Sequence, residues 1–339
     1  MVLVVGGGLA GAAAANELAA SGRKVLIAER TGSLGGKVLG YGCKATDLCN
    51  NCGVCLTKDL WKSVEENELI EIRTDTGLVD LSGEKGKYTA ALKSGGGICR
   101  VEEITEVIVA TGFRDPASAG YDGFVEIADK NAGGIVLGSD IENLLQGRGE
   151  TDLFEKDPGS VCFIQCFGSR DKKENTMYCS RICCAYSSRA AKVIKKYYPD
   201  CDITFLYMEM QQVRCGDYFD ELKNQGVNFI KCRPVKVTAG SPACVTFDNP
   251  ETGGREEYSC DLVVLSDGIH PTRDAARIAE ICGLGQTENG FLRYVKDIND
   301  ADTTGVYIAG CAKGPAKIEE VYSDSVAVAR RILFEESGK

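Results

Sequence analysis

Residues 1–30 read MVLVVGGGLAGAAAANELAASGRKVLIAER, and this stretch decides the fold. The apolar run Val2–Val5 has the length and composition of a buried strand. It runs into Gly6-Gly-Gly8-Leu9-Ala10-Gly11, a G-x-G-x-x-G turn that opens an Ala-rich helix from Gly8 to Ser21, stopped by Gly22. Lys24–Ala28 then predicts a second strand, ending at Glu29 and Arg30. In such a turn Gly6 allows the tight bend, Gly8 lets a pyrophosphate approach the backbone, and Gly11 lets the helix pack on the strand. The N–H groups of the first helical residues, Leu9 and Ala10 among them, face the phosphates. Glu29 is positioned to accept hydrogen bonds from a ribose hydroxyl. Strand, glycines, helix, strand and terminal acid together predict dinucleotide binding.

Three further stretches favour FAD over NAD, each by resemblance to flavoproteins with two dinucleotide-binding domains. Leu34-Gly35-Gly36-Lys37 follows Glu29 closely, as does the loop that runs along the pyrophosphate and flavin in that class. Val107-Ile-Val-Ala110-Thr111-Gly112 resembles the strand end that closes the FAD domain. Gly305-Val-Tyr-Ile-Ala-Gly310-Cys311 resembles the last motif, which normally ends Gly-Asp; Cys311 replaces the acid that binds the ribityl chain. The flavin edge is then expected along Gly314-Pro-Ala-Lys-Ile318.

The chain repeats the strand–turn–helix–strand pattern after a Gly-, Asp- and Asn-rich connector, 113–158. Ser160–Ile164 is the strand, Arg181–Tyr198 the helix and Asp202–Met208 the next strand. Alternating strands and helices predict an α/β fold of two Rossmann-like three-layer units with parallel sheets. The expected organisation is an FAD-binding domain of residues 1–115 and 270–339, interrupted by a second nucleotide-binding-like domain, 116–269. The second turn reads Ile164-Gln-Cys166-Phe-Gly-Ser-Arg170, so the glycines that would admit a nicotinamide pyrophosphate are missing. A cysteine set, Cys166, Cys179, Cys183 and Cys184, takes their place with the spacing C-x12-C-x3-CC. Four thiolates can hold a 4Fe–4S cubane, although this spacing is not a usual ferredoxin run. The stretch IQCFGSRDKKENTMYCSRICC, followed by ITFLYMEM, GVNFIKCRPVKV and AGCAKGPAKI, resembles the heterodisulfide reductase A family over nearly the whole chain. That resemblance implies a thioredoxin-reductase-like fold, a 4Fe–4S cluster on these four cysteines, and electron transfer between FAD and iron–sulfur partners. The implied partners are subunits like heterodisulfide reductase B and C, or other iron–sulfur proteins; a homodimer is also expected.

A second set, Cys43, Cys49, Cys52 and Cys55, has the spacing C-x5-C-x2-C-x2-C just after the Leu-Gly-Gly loop. Closely spaced cysteines of this kind suit a second cubane or a closed zinc site, and both remain open here. The rival function is a pyridine-nucleotide disulfide reductase, whose active cysteine pair also follows a Leu-Gly-Gly loop. Against it stand the wrong cysteine spacing, the missing nicotinamide turn, and a single histidine, His270, beside Pro271. A non-catalytic scaffold with an inert flavin is the third class considered.

Bulk properties narrow the partners. The chain has 339 residues, 44% hydrophobic and 26% charged, as expected of a packed globule. A net charge of −10 makes nucleic acid and anionic membranes poor partners. No run of about 18 apolar residues suggests a membrane span, and no export signal is read, so a cytoplasmic location is expected. Seventeen cysteines, odd in number and clustered, then read as metal ligands or redox thiols rather than disulfides. Cys99, Cys201, Cys232, Cys244, Cys260 and Cys282 lie apart from both sets and are expected to be small buried hydrophobes.

Overall fold

The computed structural model describes residues 1–120, 125–126, 133–146, 154, 157–211, 218–294 and 305–337. They form two compact units. The first comprises Met1–Leu39, Gly53–Arg114 and His270–Lys339; the second comprises Gly40–Cys52 and Asp115–Ile269. The sequence reading puts residues 40–52 with the flavin half, whereas they pack with the second unit.

In chain order the first unit opens with β1 (Val2–Val5), α1 (Leu9–Ala20), β2 (Val25–Ala28), α2 (Leu60–Glu65) and β3 (Ile70–Arg73). An antiparallel sheet of β4 (Gly77–Ser82), β5 (Tyr88–Ser94) and β6 (Gly97–Ile104) follows, and β7 (Glu106–Val109) returns to the main sheet. The second unit carries β8 (Val125–Glu126), β9 (Ile135–Leu137), α3 (Gly138–Gln146), β10 (Ser160–Phe167), α4 (Cys183–Tyr197), β11 (Asp202–Tyr207), α5 (Tyr218–Asn224) and β12 (Asn228–Lys231). It continues with β13 (Pro234–Thr238), β14 (Ala243–Asp248), β15 (Arg255–Cys260) and β16 (Leu262–Asp267). The chain then re-enters the first unit through α6 (Ala275–Ile281), a small hairpin of β17 (Gly285–Gln286) and β18 (Leu292–Arg293), β19 (Val306–Ile308) and the last helix, α7 (Ile318–Ser337).

The main sheet of the first unit has the order β19-β7-β1-β2-β3, and every pairing is parallel. Val2 pairs with Val25 and Glu106, and Val5 with Ala28 and Val109. Every residue of β1, β2 and β7 is buried, which is why these strands read as unbroken apolar runs rather than alternating ones. The turn after β1 is closed by backbone. Gly6 has φ +110°, and a Cβ there would overlap the Ala110 carbonyl. A Cβ on Gly11 would overlap the Gly6 carbonyl, so α1 can lie on the strand end only with glycine at this position.

The second unit repeats the plan in the order β12-β11-β10-β16-β9, again all parallel. Its core stacks Phe163 on Phe205, with ring centroids 4.8 Å apart, and Phe205 on Phe229 at 5.0 Å. A second sheet, β15-β14-β13-β8, packs Val237, Val245 and Phe247 against the other face, in one cluster with Cys162, Ile164 and Val263. Part of the connector contributes to the core: β9 pairs with β16, and α3 buries Ile141 and Leu145. The short Gly-flanked piece Ile135–Leu137 carries too little periodicity to be read from sequence; the rest of the connector lies partly outside the described residues. Of the cysteines read as filler, Cys201, Cys232, Cys260 and Cys282 are buried, and Cys244 is intermediate. Cys99 is exposed, because β6 turns most of its side chains to solvent.

Candidate functional site

The predicted flavin residues come together at the carboxyl ends of β1, β2, β7 and β19 in the first unit. Gly8 caps α1 with φ −74° and ψ −168° and offers no side chain, so the helix's first N–H groups point outward uncapped. Gly35 donates its N–H to the Gly7 carbonyl at 2.9 Å and pairs with Gly8 as an isolated bridge. That bridge sets Gly36 opposite Gly8: a Cβ on Gly8 would come no nearer than 3.9 Å to the Gly36 Cα. The result is a side-chain-free cradle at a helix N-terminus, the arrangement a pyrophosphate needs. Glu29 is buried at its rim and accepts from Gly7 N at 2.7 Å, Thr31 N at 2.8 Å and Thr31 Oγ1 at 2.7 Å. These bonds fix the carboxylate, and its remaining lone pairs suit a ribose hydroxyl. Arg30 is exposed and pairs with Asp274 at 3.4 Å. Lys37 lies over the Phe113 ring, 5.5 Å from its centroid.

Ala110 donates its N–H to Val5 at 2.9 Å, and Thr111 and Gly112 continue from that strand end, Gly112 with φ +73°. On the other side Gly310 has φ +64°, and a Cβ there would come within 2.7 Å of Ala10 Cβ, so the last motif closes on the first turn of α1. Ile318 opens α7, against Gly53. Cys311 is buried, its thiol pushed up to about 11 by burial, and its sulfur faces the Ala316 carbonyl at 3.7 Å. A neutral thiol is a poor substitute for a carboxylate acceptor. A carboxylate reaches the same motif from Asp324, on α7, which accepts Gly310 N at 3.0 Å and pairs with Lys313. Trp61, on α2, donates its indole N–H to the Gly7 carbonyl at 3.3 Å. Sequence reasoning missed Asp324 and Trp61, because a carboxylate and an indole on helices outside the motifs carry no local signal.

In the second unit Cys166 lies one residue before the end of β10, at a bulge between Ile164 and Phe167, with φ +63°. A non-glycine residue with positive φ is a strained one, and such strain gathers at functional sites. Cys183 and Cys184 open α4, and with Cys166 they form one buried cluster flanked by Tyr186, Met208 and Met210. Cys179 is partly exposed, and its sulfur accepts the Arg181 N–H at 3.3 Å. The Cys183 thiol hydrogen-bonds to Cys166 and, with the Arg170 and Arg233 cations, holds Cys166 down at about 7 against the effect of burial. Cys183 itself is raised by its bonding to Cys166 and Cys184 and by burial. Cys184 is lowered by its bond from Cys183. A ready thiolate among buried thiols and cations suits metal binding. Among the described residues no three His, Cys, Asp or Glu side chains are grouped to hold a single metal ion. A cubane makes a different demand, since each of its four thiolates binds its own iron.

The other cysteine set lies towards solvent. Cys43, Cys49 and Cys55 are exposed and Cys52 is partly so; the first three in sequence belong to the second unit and Cys55 to the first. The loop backbone is nonetheless anchored within the second unit. Arg189 donates to the carbonyls of Asn50 at 2.7 Å and Asn51 at 2.8 Å, and Lys192 reaches Asn50 Oδ1 at 2.9 Å. Lys44, beside Cys43, is buried in an ion pair with Glu142.

A family profile described as FAD dependent oxidoreductase matches residues 2–66. The fold is similar to thioredoxin reductase from T. acidophilum, with TM-score 0.63 and 18% identity over 100% of this chain and 98% of that one. The Lactococcus lactis thioredoxin reductase gives TM-score 0.63 at 16% identity, covering 100% and 99%. The N-terminal stretch thus matches the FAD dependent oxidoreductase family, and the whole chain has a thioredoxin-reductase-like fold. Its sequence relatives are the A subunits of heterodisulfide reductases. It is 26% identical to that of the ferredoxin/F(420)H(2)-dependent CoB-CoM heterodisulfide reductase of Methanosarcina acetivorans, covering 98% of this chain and 52% of that protein. It is 32% identical to that of the H(2):CoB-CoM heterodisulfide,ferredoxin reductase of Methanothermobacter marburgensis, over 68% of this chain and 36% of that one. The chain therefore spans roughly a third to a half of the length of these two relatives.

Proposed function

We propose that this chain is the flavin and iron–sulfur electron-transfer part of a heterodisulfide reductase-like complex, with a 4Fe–4S cluster on Cys166, Cys179, Cys183 and Cys184. The observation that carries the reading is the turn after β10. Where a nicotinamide dinucleotide would need glycines, a strained Cys166 faces Cys183 and Cys184 at the head of the next helix. The names of the relatives support a complex with partner subunits, and heterodisulfide reductase B- and C-like iron–sulfur proteins fit that role. Flavin exchanges one or two electrons and a cubane one, so the pair joins two-electron to one-electron chemistry.

The residues of this chain divide the labour. The uncapped start of α1 and the Gly8–Gly36 cradle bind the pyrophosphate, and Glu29 orients the ribose. Cys311, kept neutral by burial, leaves the ribityl contact to backbone and to water. Cys179, the partly exposed member of its set, marks the side from which a partner takes or gives an electron. The exposed Cys43 loop is a candidate for a second metal, iron–sulfur or zinc. Among the described residues no helix is long and apolar enough to cross a membrane, and a cytoplasmic place fits the free thiols.

The test is metal, sulfide and flavin analysis of anaerobically purified protein and its Cys183→Ala variant. The wild-type protein should carry about four irons per FAD from this set, and Cys183→Ala should lose them while keeping FAD. Iron unchanged in Cys183→Ala would reject the cluster assignment. Neither NADH nor NADPH should bleach the flavin quickly without partners; rapid bleaching would restore the disulfide reductase reading.

A further inference from the structure

The loop between Cys166 and Cys179 holds a hydroxyl that no interaction within the protein accounts for. Ser169 is only 1% exposed, and its Oγ has no hydrogen-bond partner. Its backbone is fixed, because Ser169 N donates to the Cys166 carbonyl at 3.0 Å. A buried hydroxyl without a partner loses its hydration with nothing in return, which is unusual in a well-packed site. The surroundings allow little else to satisfy it. A Cβ on Gly268 would come 3.5 Å from Ser169 Cβ and would overlap Ser180, so glycine here keeps the three backbones close. Ser180, fully buried beside Cys179, already accepts Ile269 N at 3.0 Å.

The backbone around Ser169 is held by its own hydrogen bonds. Positive φ alternates along the turn, +63° at Cys166, +75° at Gly168 and +56° at Arg170. The N–H groups that follow are spent within the loop, Ser169 N on the Cys166 carbonyl and Arg170 N on the Tyr178 carbonyl at 3.1 Å, so the Ser169 hydroxyl stays without an acceptor on a fixed backbone. The cations of Arg170 and Arg233 act on the same cysteine. The unpartnered hydroxyl and these two cations favour a negatively charged acceptor within reach of the loop, and a thiolate-ligated cluster is one.

We propose that Ser169 donates its hydroxyl hydrogen to a sulfur of the cluster held by Cys166, Cys179, Cys183 and Cys184, and so raises that cluster's reduction potential. The inference rests on the cluster assignment made above. Its physical basis is simple: reduction adds negative charge to the sulfurs, so a donor stabilises the reduced state more than the oxidised one. Ser169 is a positioning and tuning residue, not a ligand.

The experiment is an EPR-monitored redox titration of the iron- and FAD-loaded protein, comparing wild type with Ser169→Ala and Ser169→Thr. At the wild-type midpoint, Ser169→Ala should lower the ratio of reduced to oxidised cluster by about three- to tenfold, the range of one net hydrogen bond. A tenfold change is about 59 mV for one electron. Ser169→Thr, which keeps the hydroxyl, should stay within about twofold of wild type, and iron and FAD contents should match in all three. An unmoved midpoint in Ser169→Ala, with iron retained, overturns the role of the hydroxyl alone. Loss of iron from Ser169→Ala with FAD retained also overturns it, because the residue would then hold the loop rather than tune the cluster. A wild-type protein without iron overturns the cluster assignment itself, and this inference with it.

Discussion

The turn after β1 and the turn after β10 occupy the same station in two parallel sheets of the same design. Each follows the central strand, each leads towards a helix, and each has its strand flanked on both sides by parallel neighbours. The first is built from glycine and the second from cysteine. Glycine removes side chains so that a ligand can meet backbone N–H groups at a helix end. Cysteine keeps a side chain and, in the function proposed, makes it the ligand, at the expense of a left-handed residue where glycine would be at ease. On that proposal the sheet supplies the place, and the turn residues choose between a dinucleotide and a metal group.

The strongest way to break this comparison is to separate the glycines that serve the fold from those that serve the cofactor. Gly11→Ala drives a Cβ into the Gly6 carbonyl and should destabilise the protein by about 3 kcal/mol or more, lowering the melting temperature with or without FAD. Gly8 is different. Its extended backbone accepts alanine, and a Cβ there meets nothing closer than 3.9 Å. Gly8→Ala should leave the flavin-free protein within about 1 kcal/mol of wild type while weakening FAD binding by about a hundredfold. Differential scanning calorimetry and FAD titration read the two effects separately. Equal stability losses at both positions would mean that Gly8 is a packing glycine and the cradle is misassigned.

How much of this was legible in the sequence follows from where each constraint lies. The β1–α1 turn is local, so its glycines, helix and terminal Glu29 can be read together within thirty residues. Parallel order likewise follows from the alternation of strands and helices. The cluster of Cys166 with Cys183 and Cys184 was readable because a cysteine stands where the expected glycine does not. The Cys43 loop was harder. Its cysteines look alike in sequence, yet their company is decided by Arg189 and Lys192 of α4, which bind the carbonyls and amide of Asn50 and Asn51 across a long stretch of chain. Nothing in the loop itself announces those partners. Asp324 and Ser169 were invisible for a related reason, since the partner that Asp324 finds in Gly310 N and the burial of Ser169 without one are properties of packing, not of residue type.

A second test sharpens the comparison at the neighbouring strand. In the first unit β7 ends in apolar Val109, whereas in the second β16 ends in Asp267, in register with Phe167. Burial raises Asp267 from 3.8 to about 6, opposed by bonds from Ser139 N at 3.0 Å and the Tyr186 hydroxyl at 3.2 Å. Because its folded pKa lies above the unfolded value, the folded state holds the proton more tightly. Stability from this group is therefore full below 3.8, falls as pH rises towards about 6, and is flat above that. Asp267→Asn keeps the acceptor but removes the charge. Its stability relative to wild type should improve across that window, by about 1–3 kcal/mol at neutral pH. Denaturant titrations at pH 4 and pH 7 read the difference; a gap independent of pH would mean that Asp267 carries no buried charge.

The smallest effect concerns the one tryptophan of the chain, which reports on the glycine turn directly. Trp61 donates to the carbonyl of Gly7, the same oxygen that accepts Gly35 N. It therefore braces the backbone of the cradle. Replacing it by phenylalanine removes one neutral hydrogen bond and keeps most of the packing, so stability should fall by about 0.5–1.5 kcal/mol and FAD affinity by less than about tenfold. The indole also provides an optical test in the unaltered protein. Flavin absorbs where tryptophan emits, so FAD seated in the cradle should quench the fluorescence of Trp61 as it binds, and its release should restore the signal. Quenching that follows FAD occupancy in wild type, and is weakened together with occupancy in Gly8→Ala, would tie the glycine turn to the flavin. Full Trp61 fluorescence at full FAD loading would put the flavin elsewhere and remove the contrast between the two turns.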